Sequence, residues 1–333
     1  MEKILIFGGT QFIGRTLVQQ LQKLNKYDIT LFNRQQTQAD IFPDIQKIKG
    51  DRETNDVRQI ENEDWDYVID VSCYYPDSLV NVLNSIKSKF KKYILISTCS
   101  VYDDTNNQVD MRDETAPILN CTDNQRTDRT PASYGNRKAE CERILMNFTE
   151  DYIMLRPALV YGAYDHTDRF YYWLYQVQHN QTLLLPDRGE RVFSITYVND
   201  LVNTIIASIE TPFTGIYNMM TTPKTSIKQI VEHTEKLLNK SPNKINAAPD
   251  FLYRNNIKQW TDMPLWEDGD HFTYSTQKLK KDLKIKLTDF KESIESTISY
   301  YNSLGWKVPK YGITEQVRQE LISKIKNEEL SKK

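Results

Sequence analysis

Tyr134 and Lys138 in SYGNRKAE stand four positions apart, so they share one face if the segment is helical. A phenol titrates at about pH 10 and is a poor base at neutrality, but an adjacent ammonium favours the phenolate, which makes such a pair a proton-transfer device. In a chain with 20 tyrosines the spacing alone carries little weight. Its weight comes from what precedes it. Ile94, Leu95, Ile96, Ser97 and Thr98 read as a strand ending in hydroxyls. From the carboxyl edge of a sheet, Thr98 can hold a substrate oxygen beside the phenol for hydride transfer.

A second constellation lies at the start of the chain. Gly8, Gly9 and Gly14 of GGTQFIG follow a short apolar run and open an amphipathic segment, with Thr10, Gln11, Phe12 and Ile13 between them. A tight turn there points free amides at the head of a helix toward a pyrophosphate. The middle glycine of the usual pattern is Gln11, whose side chain either crowds the backbone or reaches forward to the phosphate. The second strand ends Leu31, Phe32, Asn33, Arg34, with no acid to hold a ribose hydroxyl. Arg34 can pair with a 2′-phosphate, which favours NADP over NAD. Asp51, in KGDR, is a candidate acceptor for the adenine amino group or a turn cap.

The elements that must position these residues follow from periodicity. Strands are expected at Lys3–Phe7, Asp28–Asn33, Gln46–Lys49, Tyr67–Val71, Tyr93–Ser97 and Tyr152–Arg156. Helices are expected over Phe12–Leu24 and from Asp77 to about Lys89. Alternation of this kind builds a doubly wound parallel sheet, α/β in class, with ligands outside the carboxyl ends of its strands. Beyond Pro157 the pattern is irregular, with a strand at Val192–Val198 and helices near Asp200–Ile209 and Ser226–Leu238. The charged segment 315–333 reads as a surface helix that frays. The expected organisation is a nucleotide-binding domain at 1–157, a smaller substrate-binding region at 158–314 interleaved with it, and that tail.

The chain has 333 residues, 39% hydrophobic and 26% charged, with 43 basic against 45 acidic residues and a formal net charge of -2. Nothing in that balance draws the protein to nucleic acid or an anionic membrane. No apolar run has the length of a signal-peptide core or a span. Cys73, Cys99, Cys121 and Cys141 are dispersed, without metal-ligand spacing, so no metal site is expected and a reducing cytoplasm fits.

With these motifs in order, the sequence resembles the extended short-chain dehydrogenase/reductase superfamily, the NAD-dependent epimerase/dehydratase group. GGTQFIG, VIDVSCYY, ILISTCSVY, SYGNRKAE, LRPALVYG and ITYVNDLV carry the resemblance. It implies a Rossmann-like fold and catalytic roles for Thr98, Tyr134 and Lys138. Val71, Ser72 and Cys73 would line the nicotinamide ribose, with Ser97 and Pro157 beside the same pocket. By analogy the substrate is a sugar nucleotide and the assembly a homodimer. Cys99 and Ser100 follow Thr98 where the 4,6-dehydratases carry an Asp-Glu pair, so elimination of water is disfavoured, while epimerisation and ketone reduction both remain. The subgroup with FNR, GDR, DRFYYW and PLW also resembles chloroplast stem-loop RNA-binding proteins, which supplies the alternative of an RNA-binding or regulatory protein. The basic clusters Lys87–Lys92 and Lys278–Lys286 read better as solvated surfaces. Asp168, Arg169, Arg188 and Arg191 are candidates for an anionic substrate or for structural ion pairs. His166 reads as structural or as an auxiliary acid, and Tyr171, Tyr172 and Trp173 as a stacking surface or a core.

Overall fold

The computed structural model describes residues 1–86, 90–104, 110–267 and 272–331, the side chain of residue 329 excepted. The first half runs β1 (Glu2–Phe7), α1 (Phe12–Leu24), β2 (Tyr27–Asn33), β3 (Gln46–Lys49), β4 (Tyr67–Asp70), α2 (Pro76–Ser85), β5 (Lys92–Ile96), α3 (Asp123–Thr127), α4 (Tyr134–Phe148) and β6 (Tyr152–Pro157). Then follow β7 (Leu159–Tyr161), α5 (Arg169–His179), β8 (Thr182–Pro186), β9 (Val192–Tyr197), α6 (Val198–Glu210), β10 (Gly215–Met219), β11 (Thr222–Ser226) and α7 (Ile227–Leu238). The last elements are β12 (Asn243–Ala247), α8 (Pro249–Arg254), α9 (Gln277–Leu283), α10 (Phe290–Ser303) and α11 (Glu315–Leu330). The elements expected from periodicity in the first half are present, most within a residue or two at each end. Helix α2 stops at Ser85, and residues 87–89, with part of the Lys87–Lys92 cluster, lie outside the described residues.

Two units divide the chain. The first comprises residues 1–160, 196–221 and 274–287, and the second residues 161–195, 222–273 and 288–333. In the first, a seven-stranded sheet has the order β10-β6-β5-β4-β1-β2-β3, and its pairings are parallel. Parallel strands are buried on both faces, which is why Ile4–Phe7 and Tyr93–Ile96 are unbroken apolar runs. Leu5, Phe7, Val68, Tyr93, Leu95 and Met154 form one core with Leu79, Val82 and Leu83 of α2 and Cys141 and Leu145 of α4. The pleat sends Ile4, Ile6, Ile69 and Ile94 to the opposite face, where they are equally buried. Helices α1 and α6 pack together, as do α2 and α4.

In the second unit β12 pairs with β8 in parallel, and β11 runs antiparallel to the Val192–Ile195 stretch. The rings of Phe170, Tyr171, Tyr172 and Trp173 are buried here as core, with the Tyr171 hydroxyl donating to the Lys307 carbonyl and the Trp173 indole to that of Pro264. The tail corrects the expectation of a fraying surface helix. Leu321, Ile322 and Ile325 of α11 are buried, and buried Arg318 holds Glu315, the Asn180 side chain and the Thr182 carbonyl. Apolar positions three and four apart were too few among the charges to announce that stripe.

Candidate active site

At the amino edge of α1, Gly8 and Gly9 take φ of 105° and 99°, a left-handed conformation that makes glycine the fitting residue. Gly14 lets the helix close on the turn, since a Cβ there would lie 2.6 Å from the Gly9 amide nitrogen. Gln11 is the extended residue before the helix. It is exposed, makes no side-chain cap, and the first turn carries no acid. With no side-chain cap from Gln11 and no acid in its first turn, the helix presents the positive end of its dipole at the glycine turn, a match for pyrophosphate. Asn33 binds the turn to β2: its Nδ2 donates to the Gly8 carbonyl at 3.0 Å and its Oδ1 accepts the Gln35 amide at 2.9 Å. Arg34 beside it is exposed. Asp51 caps a turn, its Oδ1 accepting from the Glu53 amide at 3.0 Å.

Parallel pairing aligns the ends of β1, β4 and β5, so Gly8, Val71 and Ser97 leave the sheet at the same edge. Thr98 is half-buried and caps the short turn Cys99–Val101, its Oγ1 accepting the Ser100 amide at 3.2 Å. Tyr134 opens α4 and is half-buried, while Lys138, one turn on, is buried. The Lys138 Nζ donates to the Cys73 and Ile96 carbonyls, both at 2.7 Å. One ammonium thus joins the ends of β4 and β5 to α4. Two of its three donors are used by backbone, leaving one for a ligand. Burial opposes its charge, but Cys73, Tyr134, Cys141 and Asp70 outweigh that and hold its pKa above the ordinary lysine value. Val71 and Ser72 are half-buried in the strand end, and Cys73 and Pro157 are buried.

Ser97 turns inward. Its hydroxyl donates to Glu142, which forms a buried two-pronged pair with Arg156, Nε to Oε1 at 3.0 Å and Nη2 to Oε2 at 2.5 Å. Periodicity carried a signal for this group that the sequence reading missed, because Glu142 continues the Tyr134 and Lys138 face by four more residues. Also unforeseen is the pair of Arg52 with Asp70, two contacts of 2.7 Å, with the Tyr93 hydroxyl donating to the same carboxylate at 2.9 Å. Burial pushes the Asp70 pKa up, but Arg52, Tyr93 and Lys138 prevail and hold it below the usual carboxylate range. An acid inside the apolar run Tyr67–Asp70 was the available clue.

The remaining candidates belong to the second unit and are engaged locally. Asp168 accepts the Lys310 amide at 3.1 Å, and Arg191 meets Asp187 at 2.7 Å. Arg169 donates to Thr167 and lies over the Trp260 ring, while Arg188 holds Asn246 through its backbone amide. Burial, followed by nearby Lys310 and Arg169, lowers the His166 pKa. Among the described residues no cluster of His, Cys, Asp or Glu is arranged to hold a metal, and no helix is long and apolar enough to cross a membrane.

A model described as the NAD dependent epimerase/dehydratase family matches residues 4–219. The chain is 24% identical over 220 residues to chloroplast stem-loop binding protein of 41 kDa b of Arabidopsis thaliana, covering 62% of this chain and 54%, about half the length, of that relative. In fold it is similar to the UDP-glucose 4-epimerase of Thermotoga maritima, solved with UDP-glucose, at 19% identity, covering 91% of this chain and 99% of the other with a TM-score of 0.70. It is equally similar to the UDP-glucuronic acid 4-epimerase of Bacillus cereus, solved with NAD, at 19% identity and a TM-score of 0.70 over 92% of this chain and 100% of that one.

Proposed function

The chain belongs to the NAD dependent epimerase/dehydratase family, and we propose that it catalyses reversible hydride transfer at a carbinol or ketone carbon of a sugar nucleotide, as an epimerase or a reductase. The observation that carries this reading is the buried Lys138 ammonium, held by the Cys73 and Ile96 carbonyls one helical turn from Tyr134 and beside the strand end that bears Thr98.

Gly8, Gly9, Gly14 and the positive end of the α1 dipole fit a dinucleotide pyrophosphate, and Lys138 has one donor left for a ribose hydroxyl. The bound dinucleotide supplies the hydride acceptor and donor. Thr98 orients the substrate oxygen. Tyr134 takes the hydroxyl proton as the C–H bond yields its hydride, and returns it when the carbonyl is reduced. Lys138 keeps positive charge beside the phenol throughout. Cys99 and Ser100 supply no acid and base for eliminating water, which disfavours dehydration and leaves epimerisation and ketone reduction. Exposed Arg34 at the end of β2 supports a preference for NADP.

The test is Tyr134→Phe in the full chain loaded with NAD or NADP. UDP-glucose, UDP-glucuronic acid and dTDP-glucose serve as probes, and conversion is followed together with cofactor affinity by titration calorimetry. Turnover is expected to fall by at least about 100-fold with cofactor affinity within about twofold. Undiminished turnover would remove Tyr134 from the mechanism.

A second reading, RNA binding on the same fold, is favoured by the likeness to the stem-loop binding protein. Against it, Lys278 of the second basic cluster is turned onto its own unit, donating to the Ile216 carbonyl at 2.9 Å with its Nζ over the Tyr217 ring. Binding of a stem-loop RNA that weakens steeply with salt, without cofactor binding, would favour that reading.

A further inference from the structure

Tyr74 follows Cys73, whose carbonyl accepts from the Lys138 Nζ at 2.7 Å, and the same ammonium holds Ile96, two residues before Thr98, at 2.7 Å. The backbone beneath Tyr74, the strand end bearing Thr98 and the helix opened by Tyr134 are therefore tied to one group. The rings of Tyr74 and Tyr134 have centroids 6.4 Å apart and planes inclined by 41°. Tyr74 is 51% exposed in a stretch whose neighbours Cys73 and Pro76 are buried. The next tyrosine shows what an occupied ring looks like here, because Tyr75 is covered by the Arg129 guanidinium at 3.7 Å and approached by Arg137 at 5.1 Å.

We propose that Tyr74 is a substrate-contact residue that selects for a saturated ring: with Tyr134 it forms an aromatic wall for the apolar C–H face of the sugar whose carbinol is oxidised. This rests on the hydride-transfer reading above. Carbon atoms in contact need about 3.5–4.0 Å, so a ring slipped between two others needs roughly 7–8 Å between their centres. At 6.4 Å the two tyrosines leave no such slot. The ligand therefore lies across the two rings, not between them, with its reacting oxygen at the Tyr134 hydroxyl and its C–H bonds against the Tyr74 ring. A flat hydrocarbon wall serves a pyranose, which offers axial C–H bonds, and does little for a short flexible hydroxy acid. Desolvation by its surroundings, then Tyr134, raise the Tyr74 pKa against the pull of Lys138, so its hydroxyl stays a neutral donor.

The experiment compares the full chain with Tyr74→Ala and Tyr74→Phe. Each is loaded with NAD or NADP, and conversion of the same three sugar nucleotides is followed by product analysis and by the absorbance of reduced cofactor. Tyr74→Ala is expected to raise KM for the preferred sugar nucleotide about tenfold. Its NAD affinity should stay within about twofold of the parent chain, and Tyr74→Phe, which keeps the ring, within about threefold of the parent KM. An unchanged KM and kcat in Tyr74→Ala, with the parent chain active, overturns this inference alone. A loss of NAD affinity in Tyr74→Ala overturns it too, by making the residue a cofactor contact. A parent chain that binds cofactor and converts none of the three with either NAD or NADP overturns the sugar-nucleotide reading and this inference with it.

Discussion

At the scale of the residue, the proposed preference for NADP rests on Arg34, an exposed side chain just past β2. Asn33, the residue that would ordinarily face the ribose from the end of β2, spends its amide on the Gly8 carbonyl and its oxygen on the Gln35 amide. It braces the phosphate turn. In the proposed reading discrimination passes to Arg34, exposed and one residue on, whose planar guanidinium can hold a 2′-phosphate with two parallel hydrogen bonds. Arg34→Ala is expected to weaken NADPH binding by about tenfold or more, the order of one charge-assisted contact, and NADH binding by less than about twofold. Parallel calorimetric titrations with the two cofactors measure this, and an equal loss of both would show that Arg34 does not read the phosphate. Asp51 shows the opposite case, a residue whose carboxylate already serves a turn through the Glu53 amide, so an adenine contact would have to share it.

At the scale of the element, the carboxyl-terminal unit carries a buried turn with a titration of its own. Asp165 precedes α5, and its Oδ1 accepts the Thr167 amide and hydroxyl at 2.9 and 2.8 Å. Burial pushes its pKa up to about 6, more than its hydrogen bonds to Thr167 and the charge of Arg169 pull it down. The stability this raised pKa contributes is full below about pH 4, where the carboxyl is protonated folded and unfolded alike, and is lost as pH rises through about 6. At pH 8 the ionised carboxylate costs the folded state on the order of 3 kcal/mol. Asp165→Asn keeps the oxygen that Thr167 needs and removes the charge, so urea unfolding should show the variant near the parent chain at pH 4 and more stable at pH 8. A variant less stable by the same margin at both pH values would sink the assignment. Elements such as this turn were hard to read in advance, whereas β1, β2, β4 and β5 were legible because strands buried on both faces have no polar alternation to blur. Strands like Thr222–Ser226 and Asn243–Ala247 are short, polar and half exposed, and nothing local distinguishes them from loops. That Tyr134 and Lys138 share a helix face and that Thr98 follows a strand end could be read, because each is a property of one element. Asp70 with Arg52, Glu142 with Arg156, and Tyr74 beside Tyr134 could not, since each pairing exists only once separate elements are docked.

At the scale of the whole molecule, the chain does not fold as two consecutive pieces, and a simple truncation tests what holds the first unit together. Residues 196–221 and 274–287 return to the unit formed by 1–160. They bring β10, which completes the sheet beside β6, and α6, which packs on α1 with Val198, Leu201, Val202, Ile205 and Ile209 buried. Fully burying each such side chain stabilises a fold by about 1.5–3 kcal/mol, so those five contribute an amount comparable to the net stability of a domain, about 5–15 kcal/mol. A fragment ending at residue 160 keeps every residue of the Thr98, Tyr134 and Lys138 set and the whole glycine turn, yet it uncovers α1 and leaves the β6 edge unpaired. That edge is a template for association with other chains. The fragment is expected to lack a cooperative urea transition and to self-associate, as read by circular dichroism and sedimentation, and to bind neither NADH nor NADPH. A monomeric fragment that unfolds cooperatively and retains cofactor affinity would mean that the amino-terminal sheet is autonomous, and that the returning segments add to the site without being needed to build it.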